Sequence, residues 1–400
     1  MITMKALTPL LLTGSLLLPF TVGAGEYQPA NLEMGKGWQF MPQLGVGLGY
    51  DDNTAHSSAD AIDSWYWEVS PEFLIHAGNQ VNSYQLSYLV TDGNYEDSSE
   101  DDFTDHRVKL DIHHEFTRRH RLNFNYTYYR DHEARGEGIT EGFGQDFDEV
   151  AEFDVHDVGL IYGFGVPSAK INLDLELGYY DKNYTNLETI SQFRDYDSVL
   201  GRATVYWRLG PKTSVLFEWD GEDKSYDRSA QGEPSRDSFD QRLLVGFKWD
   251  ATSKTSGTVK LGYEDRNFDA DSREDFDGVA WNVAVDWKPR SYSTFTIDGG
   301  SRAKDPDTLG DYVEENSLGV RWTHDWRSRL STLAAIRYLD ESFTGIDRDD
   351  ELWEATLGAT LIWKRWLSTE FEYRYADQSS NIDRLNYDKN LFLATVRLSL

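Results

Sequence analysis

The stretch Trp65-Tyr66-Trp67-Glu68-Val69-Ser70-Pro71-Glu72-Phe73-Leu74-Ile75 alternates with a period of two residues. Its odd positions are Trp, Trp, Val, Pro, Phe and Ile, and its even positions are Tyr, Glu, Ser, Glu and Leu. A β-strand sends successive side chains to opposite faces, so this segment has one apolar face and one mostly polar face. Leu122, Phe124, Tyr126 and Tyr128 repeat the pattern against Arg121, Asn123, Asn125 and Thr127. Val279, Trp281, Val283, Val285 and Trp287 do so against Asn282 and Asp286, and Phe392, Ala394, Val396, Leu398 and Leu400 close the chain with another apolar set.

About 18 such segments follow one another, each of roughly 9–13 residues, the length a tilted strand needs to cross a bilayer. They begin near Gln39, Asp63, Ser83, Asp105, Arg121, Phe153, Lys170, Ser198, Ser214, Ser238, Ser256, Gly278, Ser293, Asn316, Leu330, Leu352, Leu367 and Asn390. Their connections alternate. Short ones include Gly78-Asn79-Gln80, Thr117-Arg118-Arg119-His120, Val166-Pro167-Ser168, Pro211-Lys212, Pro289-Arg290, Arg327-Ser328 and Arg365-Trp366. Long acidic ones include Asp51–Ile62, Asp92–Thr104, Asp131–Glu152, Tyr226–Arg236, Asn267–Asp275, Thr344–Asp350 and Asp377–Tyr387. Tight turns at one end and long loops at the other predict an all-β fold: a transmembrane antiparallel up-and-down β-barrel with periplasmic turns and extracellular loops. A soluble sandwich or propeller would hide its apolar face in a core. Here the polar face is too charged for an ordinary solvent face, with Arg107, Lys109, Asp111 and Glu115 on one strand, and Trp207, Trp249, Trp287, Trp322, Trp326 and Trp363 stand near strand ends, as in an aromatic girdle.

Composition agrees. The 400 residues carry a formal net charge of −30, from 39 Lys and Arg against 69 Asp and Glu, with 14% aromatics and no cysteine. That acidity argues against a nucleic-acid partner, because phosphate contacts need clustered Lys and Arg. The lack of cysteine excludes disulfides, Cys-ligated metals and a thiol nucleophile. Residues 1–24 read as a signal peptide: Lys5 in the n-region, an apolar stretch from Ala6 to Phe20, and Val22 and Ala24 at the −3 and −1 positions of the cleavage site. Residues 25–37 are then a short periplasmic segment and 38–400 the barrel.

Parity assigns the lumen. Its basic residues are Arg107, Lys109, Arg202, Arg242, Lys260, Arg302, Arg321, Arg337, Arg374 and Arg397. Its acidic residues include Glu68, Glu72, Asp111, Glu115, Asp174, Glu176, Glu218, Asp240, Glu264, Asp298, Glu370 and Glu372, and Tyr66, Tyr129, Tyr180 and Tyr206 lie among them. Such residues suit a sugar polymer, whose hydroxyls exchange water for side-chain hydrogen bonds and whose ring faces lie on aromatics. They also suit simple mutual pairing that stabilises a wet interior. A basic periplasmic rim is expected from Arg118, Arg119, Arg121, Lys212, Lys288, Arg290, Arg327, Arg329, Lys364 and Arg365. It can gather an anionic polymer, dock an acidic partner or meet phospholipid head groups, while acidic loops can meet lipopolysaccharide through divalent cations.

Several motifs carry a family resemblance: Gly49-Tyr50-Asp51-Asp52-Asn53, Ser70-Pro71-Glu72-Phe73, Asp92-Gly93-Asn94-Tyr95, Asp105-His106 and Arg118-Arg119-His120-Arg121-Leu122. With them the chain resembles the β-barrel porin family of exopolysaccharide and capsule biosynthesis, the VpsM-like outer-membrane proteins. Beyond about Val166 only the strand rhythm continues, and Leu400 replaces the aromatic that usually ends such barrels. The resemblance implies a conduit for a secreted polysaccharide, working with a periplasmic polysaccharide export partner. A general or cation-preferring diffusion porin is the alternative, motivated by the acidic loops; an adhesin, a phage receptor and a barrel hydrolase form a third class.

No catalytic set emerges. HExxH, the GxSxG nucleophile elbow and the P-loop are absent from the sequence. His113 and His114 are adjacent and point to opposite faces of a strand. Neither a metal nor a cofactor is expected, and no enzymatic activity. The Gly136–Gly144 segment is expected to be flexible or to fold inward and narrow the pore.

Overall fold

The computed structural model describes residues 30–35, 37–79, 81–250 and 254–400. The signal peptide, residues 25–29 and 36 of the short N-terminal segment, and Gln80 of the first short turn lie outside the described residues.

The strands are β1 Leu32–Gly35, β2 Trp38–Asp51, β3 Ser64–Gly78, β4 Ser83–Tyr95, β5 Phe103–Thr117, β6 His120–Glu133, β7 Ala151–Phe164, β8 Ile171–Tyr184, β9 Tyr196–Gly210 and β10 Thr213–Tyr226. The second half holds β11 Ser238–Trp249, β12 Thr255–Phe268, β13 Phe276–Arg290, β14 Ser293–Lys304, β15 Val313–Arg327, β16 Leu330–Phe343, β17 Asp349–Lys364, β18 Leu367–Ser380 and β19 Tyr387–Ser399. From β2 onward each strand pairs antiparallel with the next, and β19 returns to β2 with Val396 opposite Val46. The result is a closed barrel of 18 strands. Closure lets every wall strand pair on both sides, which lipid demands. Among the described residues no helix is long and apolar enough to cross a membrane. The short β1 pairs with β2, and the Ala30 amide donates to the Ser399 hydroxyl at 3.1 Å, tying the N-terminal segment to the turn end of the wall.

Register links the whole wall into two faces. Leu48 stands opposite Trp67, Phe73 opposite Tyr88, and Leu261 opposite Trp281, all on the outer face. Leu177, Leu243, Leu261 and Val279 are each at least 60% exposed, which identifies this face as the lipid contact. Trp207, Trp287, Trp326, Trp363 and Trp366 ring the turn end, and Trp65, Trp67 and Trp353 lie toward the loop end. Small outward residues are covered from within the chain: a side chain added at Gly201 or Gly221 would meet the Trp219 ring, at 3.9 and 3.0 Å.

The 18 wall strands are 12 to 16 residues long, more than a lipid crossing needs. Their loop ends carry the excess, because there the outer face changes from apolar to acidic. Asp181 stands opposite Asp197, Asp265 opposite Asp277, Asp340 opposite Glu351 and Asp377 opposite Asp388. Like charges directly across a strand pair repel, so this collar belongs in water or among cations rather than in hydrocarbon.

Two-residue turns join β5 to β6, β9 to β10, β13 to β14, β15 to β16 and β17 to β18. The opposite end carries all seven long loops expected from sequence and two more, 185–195 and 305–312. Those two carry the apolar residues Leu187, Ile190, Phe193 and Pro306, and Pro306 is fully buried. Two clusters of buried apolar side chains lie inside the barrel near the loop end: Phe268, Phe276, Ala303 and Tyr312 form one, and Phe153, Val155 and Tyr180 another.

Candidate functional site

The inner face is a charged lining whose members hold one another. Alternation points Glu176, Arg202, Asp220 and Arg242 inward on β8 to β11, and adjacency makes them a ladder. Arg202 reaches Glu176 at 2.9 Å and Asp220 at 3.6 Å, Arg242 meets Asp220 at 2.9 Å, and Lys260 meets Glu218 at 2.6 Å. Elsewhere Arg107 pairs with Asp131 at 3.2 Å, Lys109 with Asp111 at 3.3 Å, Arg302 with Glu315 at 3.0 Å, Arg337 with Glu354 at 3.5 Å and Arg397 with Glu370 at 3.2 Å. Arg374 pairs with Glu372. Glu72 accepts from Gln43, Glu115 lies 3.8 Å from His113, and Glu68 fills the space beneath Gly47. Arg321 lies between Thr296 and Ala335 in register, on the same inner face.

The tyrosines take several positions. Tyr66 stacks on Tyr95 at 5.0 Å, Tyr129 lies under Arg107 at 5.6 Å, and Lys248 covers Tyr206 at 5.0 Å. Tyr180 begins a run continued by Tyr196 and Tyr226, with centroids 5.5 and 5.2 Å apart. The basic rim residues fall where the turns are: Arg118, Arg119, Lys212, Arg329 and Arg365 within them, and Lys288, Arg290, Arg327 and Lys364 at the adjoining strand ends. Arg121 instead turns into the lumen, bonding Asp174 at 2.6 Å and the Gly165 carbonyl at 3.1 Å.

Sequence reasoning left out the residues nearest the loops. Lys224 reaches Asp305 at 2.9 Å and Asp240 at 3.4 Å, and the fully buried Arg266 bonds the same two carboxylates. Lys304 bridges Glu315 and Glu341, and Lys182 holds Glu133 at 2.8 Å. These cations share parity with Arg202 and Arg302, so the inward signal was present in the sequence. Asp305 belongs to a loop, and no periodicity announces its approach. Its carboxyl is driven well below the usual range, because Arg266 and Lys224 outweigh the effect of burial.

The 134–150 loop folds inward over the mouth, as one reading of its glycines expected. At its near end Arg135 forks onto Asp101, with bonds of 2.8 and 2.7 Å, and donates to Ser98 at 2.9 Å; Arg135 and Asp101 are both about 95% buried. Gly136 and Gly144 flank Ala55 so closely that a Cβ on either would lie 2.2 or 2.3 Å from the Ala55 carbonyl oxygen. Gly136 also has φ +84°, so glycine is required there twice over. At the far side Glu141 takes both arms of Arg348, a residue of the loop between β16 and β17, and Arg348 also grips Asp350. Gly142 packs against Leu385 and Arg384.

This strap is electrostatically uneven. Burial pushes the Asp101 carboxyl up, but hydrogen bonds from Arg135 and Ser98 prevail and hold it below its usual range. Burial likewise opposes ionisation of Glu137, yet His56, 3.1 Å away, and Lys389 hold it down at about 2. For Glu141 burial wins over Arg348, and its pKa is raised.

Among the described residues one group, Asp105, Asp131 and His132, brings its ligand atoms within 4.8 Å of one another. Arg107 occupies Asp131, and His132 and Asp105 bond each other at 3.0 Å, so the group is satisfied within the protein.

No curated protein matches the sequence. Solved structures similar to it include the FrpB iron transporter of Neisseria meningitidis, with 9% identity and TM-score 0.48, covering 87% of this chain and 64% of that one. The siderophore receptor PirA of Acinetobacter baumannii has 6% identity and TM-score 0.47, covering 90% and 80%. OpdO of Pseudomonas aeruginosa has 12% identity and TM-score 0.48, covering 91% and 97%. This chain thus spans less than two thirds of the FrpB chain, and the likeness is one of barrel architecture only. The family model described as "Putative beta-barrel porin 2" matches residues 25–400, and the chain belongs to that family of porin-like outer-membrane barrels.

Proposed function

We propose that the protein is a gated conduit, not an enzyme, that passes an exopolysaccharide outward across the outer membrane, drawing on a periplasmic polysaccharide export protein at its turn end. One observation carries the gating: the 134–150 loop is strapped across the mouth, from the Asp101–Arg135 fork to the Glu141–Arg348 fork. The lining below it suits a chain of sugars. Its charges are paired and replaceable one hydroxyl at a time, and no single contact is strong enough to stop a polymer that must leave again. The family resemblance supplies the polysaccharide and the partner, and the basic turns offer a surface for an anionic polymer or an acidic protein. Deleting the gene and measuring matrix polymer at the cell surface tests this reading. Surface polymer falls and is restored by the intact gene. Normal surface polymer in a strain with no second barrel of this kind overturns it.

A second reading, a general or cation-preferring diffusion porin, is favoured by the acidic collar, which would concentrate small cations at the mouth. It predicts unchanged surface polymer and impaired uptake of small cationic solutes in the same deletion strain.

A further inference from the structure

Four extracellular loops, 134–150, 185–195, 227–237 and 305–312, enclose a cleft of about 440 Å³ beside the strap. The rings of Phe143, Phe147 and Phe193 belong to its lining. Arg194, Arg228 and Arg236 also line it. In a chain of net charge −30, none of these three arginines has a carboxylate partner within 4 Å among the described residues. Arg194 donates to the Pro306 and Thr308 carbonyls, and Arg228 to the Gln192 side chain at 2.8 Å. Asp146, Glu233 and Asp307 border the cleft but stand off beyond that distance.

Arg236 is the anomaly. It is 93% buried, its Nη2 donates to the Thr308 carbonyl at 3.2 Å, and its Nη1 is buried with no acceptor among the described residues. Buried donors are nearly always satisfied, so an orphaned guanidinium nitrogen on a residue that lines a cavity asks for an acceptor from outside the protein. Burial and the neighbouring Arg194 also pull its pKa down to about 10, a strain that an incoming anion relieves. A guanidinium fork matches the two oxygens of a carboxylate, and a phenylalanine wall matches the flat face of a six-membered ring.

We propose that this cleft binds a ring-bearing carboxylate, with its anionic end on Arg236 and its ring against the phenylalanines. Two sources share that chemistry: a free aromatic acid, and a uronate whose ring presents its C–H face. The site is independent of which solute the lumen carries.

Isothermal titration calorimetry on the folded full barrel in detergent, with benzoate, glucuronate and benzyl alcohol as probes, tests it. At least one of the two acids saturates at one per chain, and whichever binds more tightly names the source. Benzyl alcohol, with the ring but no charge, binds at least ~10-fold more weakly than that acid. R236Q weakens the acid by ~10-fold or more, and R228Q, at an exposed position that leaves the fold undisturbed, by a smaller factor. Heat-modifiable migration in gels confirms that each variant is folded. Failure of both acids to bind overturns the proposal, as does benzyl alcohol binding as tightly as the better acid, or R236Q retaining full affinity. The wild-type comparison of acid with alcohol stands even if R236Q does not fold.

Discussion

Individual side chains at the mouth differ in what their removal should do. Asp101 and Arg135 are a buried pair, and truncating one leaves the other charge without compensation, at a cost of about 3–5 kcal/mol. Asp101→Ala should therefore loosen the 134–150 loop, read as faster tryptic cleavage at Arg135 in the folded barrel; unchanged cleavage would remove the fork from the account. Glu137 gives a pH dependence of known sign. Its pKa of about 2 lies below the ~4.3 of a free glutamate, so it stabilises the strapped state fully above the free value, and the contribution fades as pH falls toward 2. The protection that Glu137 gives, read as wild type against Glu137→Gln with an acid protease, should be lost as pH falls from about 4 toward 2. Acid lability left in Glu137→Gln belongs to Asp101, also held below its usual range, and curves that coincide at every pH would remove Glu137 from the strap.

Strands were the most legible elements. Alternation marked all 18 wall strands, because a lipid-facing side chain and a lumen-facing one differ so sharply that a one-residue slip is visible in the sequence. Leu261 faces lipid and Lys260 faces Glu218. Leu261→Arg should accordingly lower folding stability in bilayers by about 2–4 kcal/mol, whereas Lys260→Gln, inside a wet lumen, should cost far less; equal losses would mean the faces are assigned wrongly. The N-terminal strand was missed because four residues, Leu32–Gly35, are too few to show a period. The loops were only half legible. Phe143, Ile190 and Phe193 carry no period of their own until the structure shows them lining one cleft at the mouth, and Asp305 and Glu141 find their partners across long sequence separations that no local pattern encodes. At the other end, the charged turns make a separate prediction: reversing Arg118, Arg119, Lys288, Arg290, Lys364 and Arg365 together should reduce polymer export while the barrel still inserts. Undiminished export from an inserted barrel would leave the turns a role in lipid contact alone.

At the scale of the whole molecule, hydrophobicity is turned inside out and charge is divided along the axis. Apolar side chains cover the outside, ion pairs line the inside, cations edge the turns, and uncompensated carboxylates crown the loop end. On the proposed reading the strapped loop sets whether this tube conducts. Single-channel recording of the purified protein in planar bilayers, wild type beside Arg348→Ala, measures that directly. The wild type should conduct little at rest, and loss of the Glu141–Arg348 fork should raise its open probability and conductance. A wild type that is a wide, constantly open pore, with Arg348→Ala indistinguishable from it, would contradict the account.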